Sequence, residues 1–212
     1  MKALIIGATG ATGRDLVSVL LQDPGYTAVV AFVRRPGSRA HPKYSEVITD
    51  FAQLETVADA ITGDVWFSCL GTTLKAAGSK AKQWHIDYDI PAKFAEIAKR
   101  NGVSRAVVVS AYGASTTSKV FYSHMKGRLD EHIAKLEFDQ CLIFRPGFLL
   151  RKNTDRASER IIAYGLKLST SLGLMRSFRP LPTATLAEKL AKAPKVLAVG
   201  KHIIELDEIF GL

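Results

Sequence analysis

Short apolar runs alternate along this chain with stretches whose apolar residues return every three or four positions. The first run is 2–6, ending in Leu4-Ile5-Ile6. Behind it Leu16, Val17, Leu20 and Leu21 mark one face of a helix over 12–22, which stops at Pro24-Gly25. Further strand-type runs fall at 27–33, 45–49, 64–70, 105–110 and 140–145, and helical segments at 51–61, 79–100 and 119–136. Pro91 lies inside the 79–100 helix and predicts a bend there. Strands that are apolar nearly throughout, alternating with helices, predict a parallel sheet covered on both faces. After Arg145 the alternation loosens. A helix near 157–169, loops rich in Gly, Ser and Pro, a helix near 183–192 and a strand near 201–206 complete the chain. No linker divides it. Residues 1–212 therefore read as one α/β domain, a doubly wound parallel sheet with 146–182 as a substrate-side insertion in a small C-terminal lobe.

The junction of the first strand and first helix is Gly7-Ala8-Thr9-Gly10-Ala11-Thr12-Gly13. A strand, a glycine-rich turn and a helix are the parts of a dinucleotide pyrophosphate site, the mark of the Rossmann fold. Glycine permits the tight turn and a close approach of backbone to phosphate. The helix N-terminus adds free N–H groups and the positive end of its dipole. The spacing is G-x-x-G-x-x-G rather than G-x-G-x-x-G, and its place at a strand–helix junction carries the reading.

An NAD site places an acidic residue about twenty positions beyond the glycines, on the ribose hydroxyls. Here the second strand ends Phe32-Val33-Arg34-Arg35, with no carboxylate. Guanidinium groups match phosphate geometry, so Arg34 and Arg35 predict NADP(H) in preference to NAD(H). Asp50-Phe51, after the third strand, either border the adenine or, for Asp50, cap the next helix.

The fifth strand ends at Ser110, and Tyr122 and Lys126 follow on one face of a helix, about 5–6 Å apart at Cβ. An ammonium beside a phenol stabilises the phenolate and lowers a pKa that is otherwise near 10. Tyr122 is then able to exchange a proton with a carbonyl or alcohol oxygen near neutral pH. Ser110 can hold the same oxygen. Such a constellation performs hydride transfer when a nicotinamide lies beside it.

These residues together resemble the short-chain dehydrogenase/reductases. Cys69-Leu70-Gly71-Thr72-Thr73, Val109-Ser110-Ala111-Tyr112-Gly113-Ala114 and Phe144-Arg145-Pro146-Gly147 are similar to the atypical branch that includes the Tat-interacting-protein-like oxidoreductases. The resemblance covers residues 1 to about 150 and fades afterwards. It implies a cofactor over Gly7, Thr9, Gly10, Ala11, Thr12 and Gly13, with Arg34 near the adenosine phosphate. Leu70, Gly71, Thr72 and Pro146 are implied to border it. It also implies Ser110 as carbonyl holder, Tyr122 as acid/base, and Lys126 on the nicotinamide ribose. The wider family carries an asparagine in the helix after the fourth strand, and 79–100 contains none. The expected function is NADP(H)-dependent oxidoreduction of a small carbonyl or alcohol. The alternative is a non-catalytic NADP(H)-sensing regulator.

Composition narrows the picture little. The net charge of +9 and pI of 9.6 permit nucleic-acid binding, but no basic block or RNA-binding signature accompanies them. Nucleic acid is not expected as a partner. Arg145, Arg151, Lys152, Arg156 and Arg160 either form a solvated face or attract an anionic substrate. No apolar run approaches a membrane span, and the start of the chain lacks a signal-peptide pattern, so a cytoplasmic location is expected. Cys69 and Cys141 read as buried, inert thiols in strands. His85 and Asp87 lack metal spacing, His124 reads as packing or surface, and no metal is expected. An acyl-forming semialdehyde dehydrogenase would need a nucleophilic cysteine on a second domain. Substrate identity and oligomeric state are not legible.

Overall fold

The computed structural model describes residues 1–150 and 179–212. Seven strands form one sheet: β1 (Lys2–Ile6), β2 (Ala28–Val33), β3 (Tyr44–Ile48), β4 (Val65–Ser68), β5 (Arg105–Val109), β6 (Gln140–Arg145) and β9 (Gly200–Glu205). Their order is β3-β2-β1-β4-β5-β6-β9, every pair parallel. This is the doubly wound Rossmann topology. The winding reverses between β1 and β4, and the crevice at the carboxyl ends there is where such sheets take ligands.

Period-two alternation sends the β1 side chains to two cores. Ala3 and Ile5 join Phe67, Leu16, Leu20, Leu186 and Leu190 on one face. Leu4 and Ile6 join Trp66, Phe94, Ile97, Leu129 and Ile133 on the other. The first face is covered by α1 (Ala11–Gln22) and α6 (Thr183–Val196), and the second by α4 (Ile90–Arg100) and α5 (Phe121–Lys135). The Tyr26 hydroxyl donates to the Ala191 carbonyl at 2.8 Å, tying α6 to the segment after α1.

Most expected elements form within a residue or two of their predicted bounds. The segment expected as a helix over 51–61 is a 3-10 turn, Leu54–Ala60. The long 79–100 helix begins with Ser79 as its cap, its Oγ accepting from Lys82 N at 3.1 Å. It divides into α3 (Lys80–Trp84), a wide π turn (His85–Asp89) and α4. The wide turn ends two residues before Pro91, whose ring crowds the preceding turn and which lacks an N–H. Among the described residues, short elements not expected from the sequence include α2 (Leu74–Ala77) and a β7–β8 pair, Leu149–Leu150 with Leu181–Pro182. α6 runs past its expected end to Val196, and α7 (Asp207–Gly211) closes the chain. The helix expected near 157–169, with Arg151, Lys152, Arg156 and Arg160, lies outside the described residues. Among the described residues no helix is long and apolar enough to cross a membrane.

Candidate active site

The glycine turn is shaped by contacts that leave no room for side chains. Gly7 has φ of +80°, and a Cβ on it would lie 2.5 Å from the backbone of Cys69 and Leu70. A Cβ on Gly13 would lie 2.1 Å from the Gly7 carbonyl oxygen, so this glycine lets α1 seat directly against the turn. Gly10 differs. A Cβ there would meet only the Gly7 oxygen, at 3.3 Å. Its outer side is open, and no side chain caps the first turn of α1. The amides of that turn therefore face an open cradle, which fits a pyrophosphate.

Two cavities meet at this cradle. They share Gly10, Cys69, Leu70, Gly71 and Thr72. The smaller, about 220 Å³, runs from Gly7 and Thr9 to Phe32, Arg34, Phe51 and Ile90. Its apolar walls and terminal guanidinium suit an adenosine. Arg34 and Arg35 also face an outer groove with Thr9. Asp50 is absent from the lining of these cavities. Its carboxylate accepts from Ala52 N (3.0 Å) and Gln53 Nε2 (3.3 Å), closing the turn before the 3-10 segment. Pro146 is likewise outside both linings, and its carbonyl accepts from Tyr112 N at 3.0 Å.

The larger cavity, about 640 Å³, brings Gly10, Ala11 and Thr12 together with Ser110, Tyr122 and Lys126. Tyr122 lies in the first turn of α5 and is 41% exposed, whereas Ser110 and Lys126 are 5% and 3% exposed. Lys126 Nζ donates to the Val109 carbonyl at 3.0 Å, which fixes the ammonium under the end of β5. Burial pulls the Lys126 pKa down, while Asp130, Asp87 and Cys69 pull it back up.

Asp130, Asp87 and Gln83 belong to this network and were not singled out as site residues in the sequence. Asp130 accepts from Ser110 Oγ at 2.9 Å and from Arg145 Nε at 2.9 Å through the same Oδ2. Arg145 continues to Glu205 at 2.9 Å. Burial raises the Asp130 carboxyl, against hydrogen bonding from Ser110 and the charges of Lys126 and Arg145. Asp87, in the π turn, accepts from Thr72 N at 2.7 Å. Gln83 Nε2 donates to the Thr72 carbonyl at 3.2 Å, so both backbone groups of Thr72 are held from one helix. Burial pushes Asp87 up to about 6 although Lys126 opposes it. Asp130 was legible as the residue four beyond Lys126. Nothing in the local pattern marked Asp87 or Gln83.

Cys69 does not lie inside a strand as expected. It follows β4, is partly exposed, and lines both cavities. Burial of its sulfur pushes the thiol up to about 12 despite Lys126, so it stays a thiol. Cys141 is buried in β6. His124 packs 6.3 Å from the Trp84 ring.

The family described as NAD(P)H-binding matches residues 7–168. Protein FMP52, mitochondrial, of Eremothecium gossypii is 33% identical over 71% of this chain and 67% of its own length. Protein HTATIP2 of Rattus norvegicus is 35% identical over 70% of this chain and 63% of its own. Among solved structures, a short-chain dehydrogenase/reductase superfamily protein from Agrobacterium tumefaciens with bound NAD superposes with a TM-score of 0.73 at 14% identity, covering 97% of this chain and 77% of its own. The mitochondrial name of the FMP52 relative overturns the cytoplasmic expectation drawn from the missing signal-peptide pattern. That pattern bears only on secretory targeting.

Proposed function

This chain belongs to the NAD(P)H-binding family, in its atypical short-chain dehydrogenase/reductase branch, and on that footing we propose an NADP(H)-dependent oxidoreductase acting on a small carbonyl or alcohol. One observation carries the proposal: Ser110, Tyr122 and Lys126 open into the same cavity as the glycine cradle. Residues 1–212 act as a single dinucleotide-binding unit in this reading.

The chemistry that a nicotinamide would supply when bound is the gain or loss of a hydride. The chain supplies position and the proton. Gly10, Ala11 and Thr12 would hold the pyrophosphate, and Phe51 and Arg34 would border the adenosine with its 2′-phosphate. Tyr122 gives its phenolic proton to the oxygen of a carbonyl under reduction, or takes one from an alcohol under oxidation. Lys126, fixed by the Val109 carbonyl, stabilises the phenolate that results. Ser110 lines the same cavity, and holds a reacting carbonyl oxygen once its hydroxyl proton turns from Asp130 to that oxygen.

The test is calorimetric titration with NADPH and NADH, followed by a panel of aldehydes and ketones in the parent and in Tyr122→Phe. Tighter NADPH binding and turnover abolished by the variant support the reading. Equal affinities would sink the NADP(H) preference, and parental turnover in Tyr122→Phe would sink the catalytic assignment.

A second reading is a non-catalytic NADP(H) sensor. The direction of the Ser110 hydrogen bond favours it, since that proton goes to Asp130 and not to the cavity. This reading expects NADPH binding without turnover across the panel.

A further inference from the structure

The larger cavity has a second stretch of wall, lined by residues other than the glycine turn and Ser110, Tyr122 and Lys126. Among the described residues it is built from Thr73, Leu74, Lys80, Val120, Phe121 and Leu149. Leu74 and Val120 are 47% and 63% exposed. Both sit where backbone fixes them. Leu74 opens α2, whose cap Thr73 accepts from Ala76 N at 3.2 Å. Val120 precedes the first turn of α5, and its N–H donates to Ser118 Oγ at 3.1 Å. Phe121 is backed by the Trp84 ring at 6.2 Å, and Trp84 by Tyr88 at 4.9 Å. Lys80 Nζ stands 5.4 Å from the centre of the Phe121 ring, at the rim.

Solvent-exposed leucine and valine are ordinary on a convex surface and informative in a concavity. A sugar or other polyol would require hydrogen-bonding groups along this wall. Thr73 and Lys80 are the polar members among those six residues, and Lys80 already stands over a ring. Apolar walls with a few polar anchors suit a ligand whose reactive oxygen is held deep and whose body is hydrocarbon.

We infer that the substrate is an aldehyde or ketone, or the matching alcohol, carrying an alkyl chain or aryl ring that packs on Leu74, Val120 and Phe121. The inference rests on the oxidoreductase reading for its reacting group and on the wall alone for its apolar body.

Binding can be read without turnover. Trp84 lies directly behind Phe121, whereas Trp66 is fully buried in the core and gives a constant background. In the NADPH-loaded protein, which cannot oxidise an alcohol, a series of straight-chain alcohols from butanol to octanol should shift Trp84 emission, with affinity rising about fourfold per methylene while the chain still gains contact. Leu74→Ser and Val120→Ser change exposed side chains, and serine is a favourable residue at the start of a helix. Both should flatten that dependence while leaving NADPH affinity unchanged. KM for the corresponding aldehydes should fall with chain length in parallel. Affinity independent of chain length in the parent, or a dependence unchanged in both serine variants, would overturn the inference. Graded alcohol binding with no aldehyde turnover keeps the apolar wall and overturns the oxidoreductase reading. Turnover without graded binding does the reverse.

Discussion

Ser110 gives its hydroxyl proton to Asp130, Oγ to Oδ2 at 2.9 Å, with both residues buried. The same Oδ2 takes the Arg145 Nε–H, so one carboxylate oxygen joins the end of β5 to the end of β6. Asp130→Ala removes the acceptor and leaves Arg145 with Glu205 alone. Breaking a buried ion pair by deleting one partner costs about 3–5 kcal/mol, and the surviving Glu205 contact places the expected loss near the lower end. Urea unfolding of the two proteins measures it. A loss below about 1 kcal/mol would mean that the pair is dispensable.

Arg34 is the guanidinium that borders the smaller cavity. A charge-assisted phosphate contact is worth about 1.5–3 kcal/mol. Arg34→Ala should weaken NADPH binding by that amount and leave NADH binding nearly unchanged. Titrations showing both cofactors equally weakened would assign Arg34 a packing role.

Gly10 and Gly13 should fail in opposite ways. Gly10→Val projects into the open cradle, so it should abolish cofactor affinity with an unchanged circular dichroism spectrum. Gly13→Ala drives a methyl group against the Gly7 carbonyl, where a Cβ would lie 2.1 Å from the oxygen. It should lower stability by about 1–3 kcal/mol before binding is considered. Thermal melts beside NADPH titrations separate the two.

Tyr122→Phe keeps the ring and deletes the phenolic proton. Cofactor affinity should persist, and turnover should fall about 10²–10⁴-fold, the worth of a positioned acid–base group. Single-turnover rates at saturating NADPH check this.

Asp87 makes stability depend on pH. Its carboxyl ionises near 3.8 when free and at about 6 in the fold. The folded state holds the proton more tightly, so stability declines as pH rises across that window and levels off above it. Asp87→Asn has no charge to bury and keeps Oδ1 for the Thr72 amide. The stability of the variant minus that of the parent should climb by about 2–3 kcal/mol from acid to neutral pH, then stay flat. Denaturant unfolding at half-unit steps reads the difference. A flat difference would show that Asp87 buries no charge.

The strands, their parallel pairing and the glycine turn were legible because each is a local pattern: an apolar run, a helical face, and a turn that only glycine fits. Ser110, Tyr122 and Lys126 were legible because strand end and helix spacing bring them together. Asp87 and Gln83 were not. They serve the site by holding Thr72, fifteen and eleven positions away along the chain, and only the folded helix shows it. Asp50 illustrates the converse. A carboxylate at a strand end suits a ribose or a turn equally, and here the turn takes it.

The π turn at His85–Asp89 is one residue wider than an α-helical turn. Such a turn takes in its extra residue over nearly the same rotation as an α turn, so removing one residue from it would leave an ordinary α turn with α3 and α4 close to their present orientation. Phe94 and Ile97 would stay packed under the sheet and Gln83 would stay on the Thr72 carbonyl, while Asp87, inside the turn, would leave the Thr72 amide. A single-residue deletion is thus a clean instrument for this protein. It would leave the core standing and release the amide of Thr72 while its carbonyl stays held.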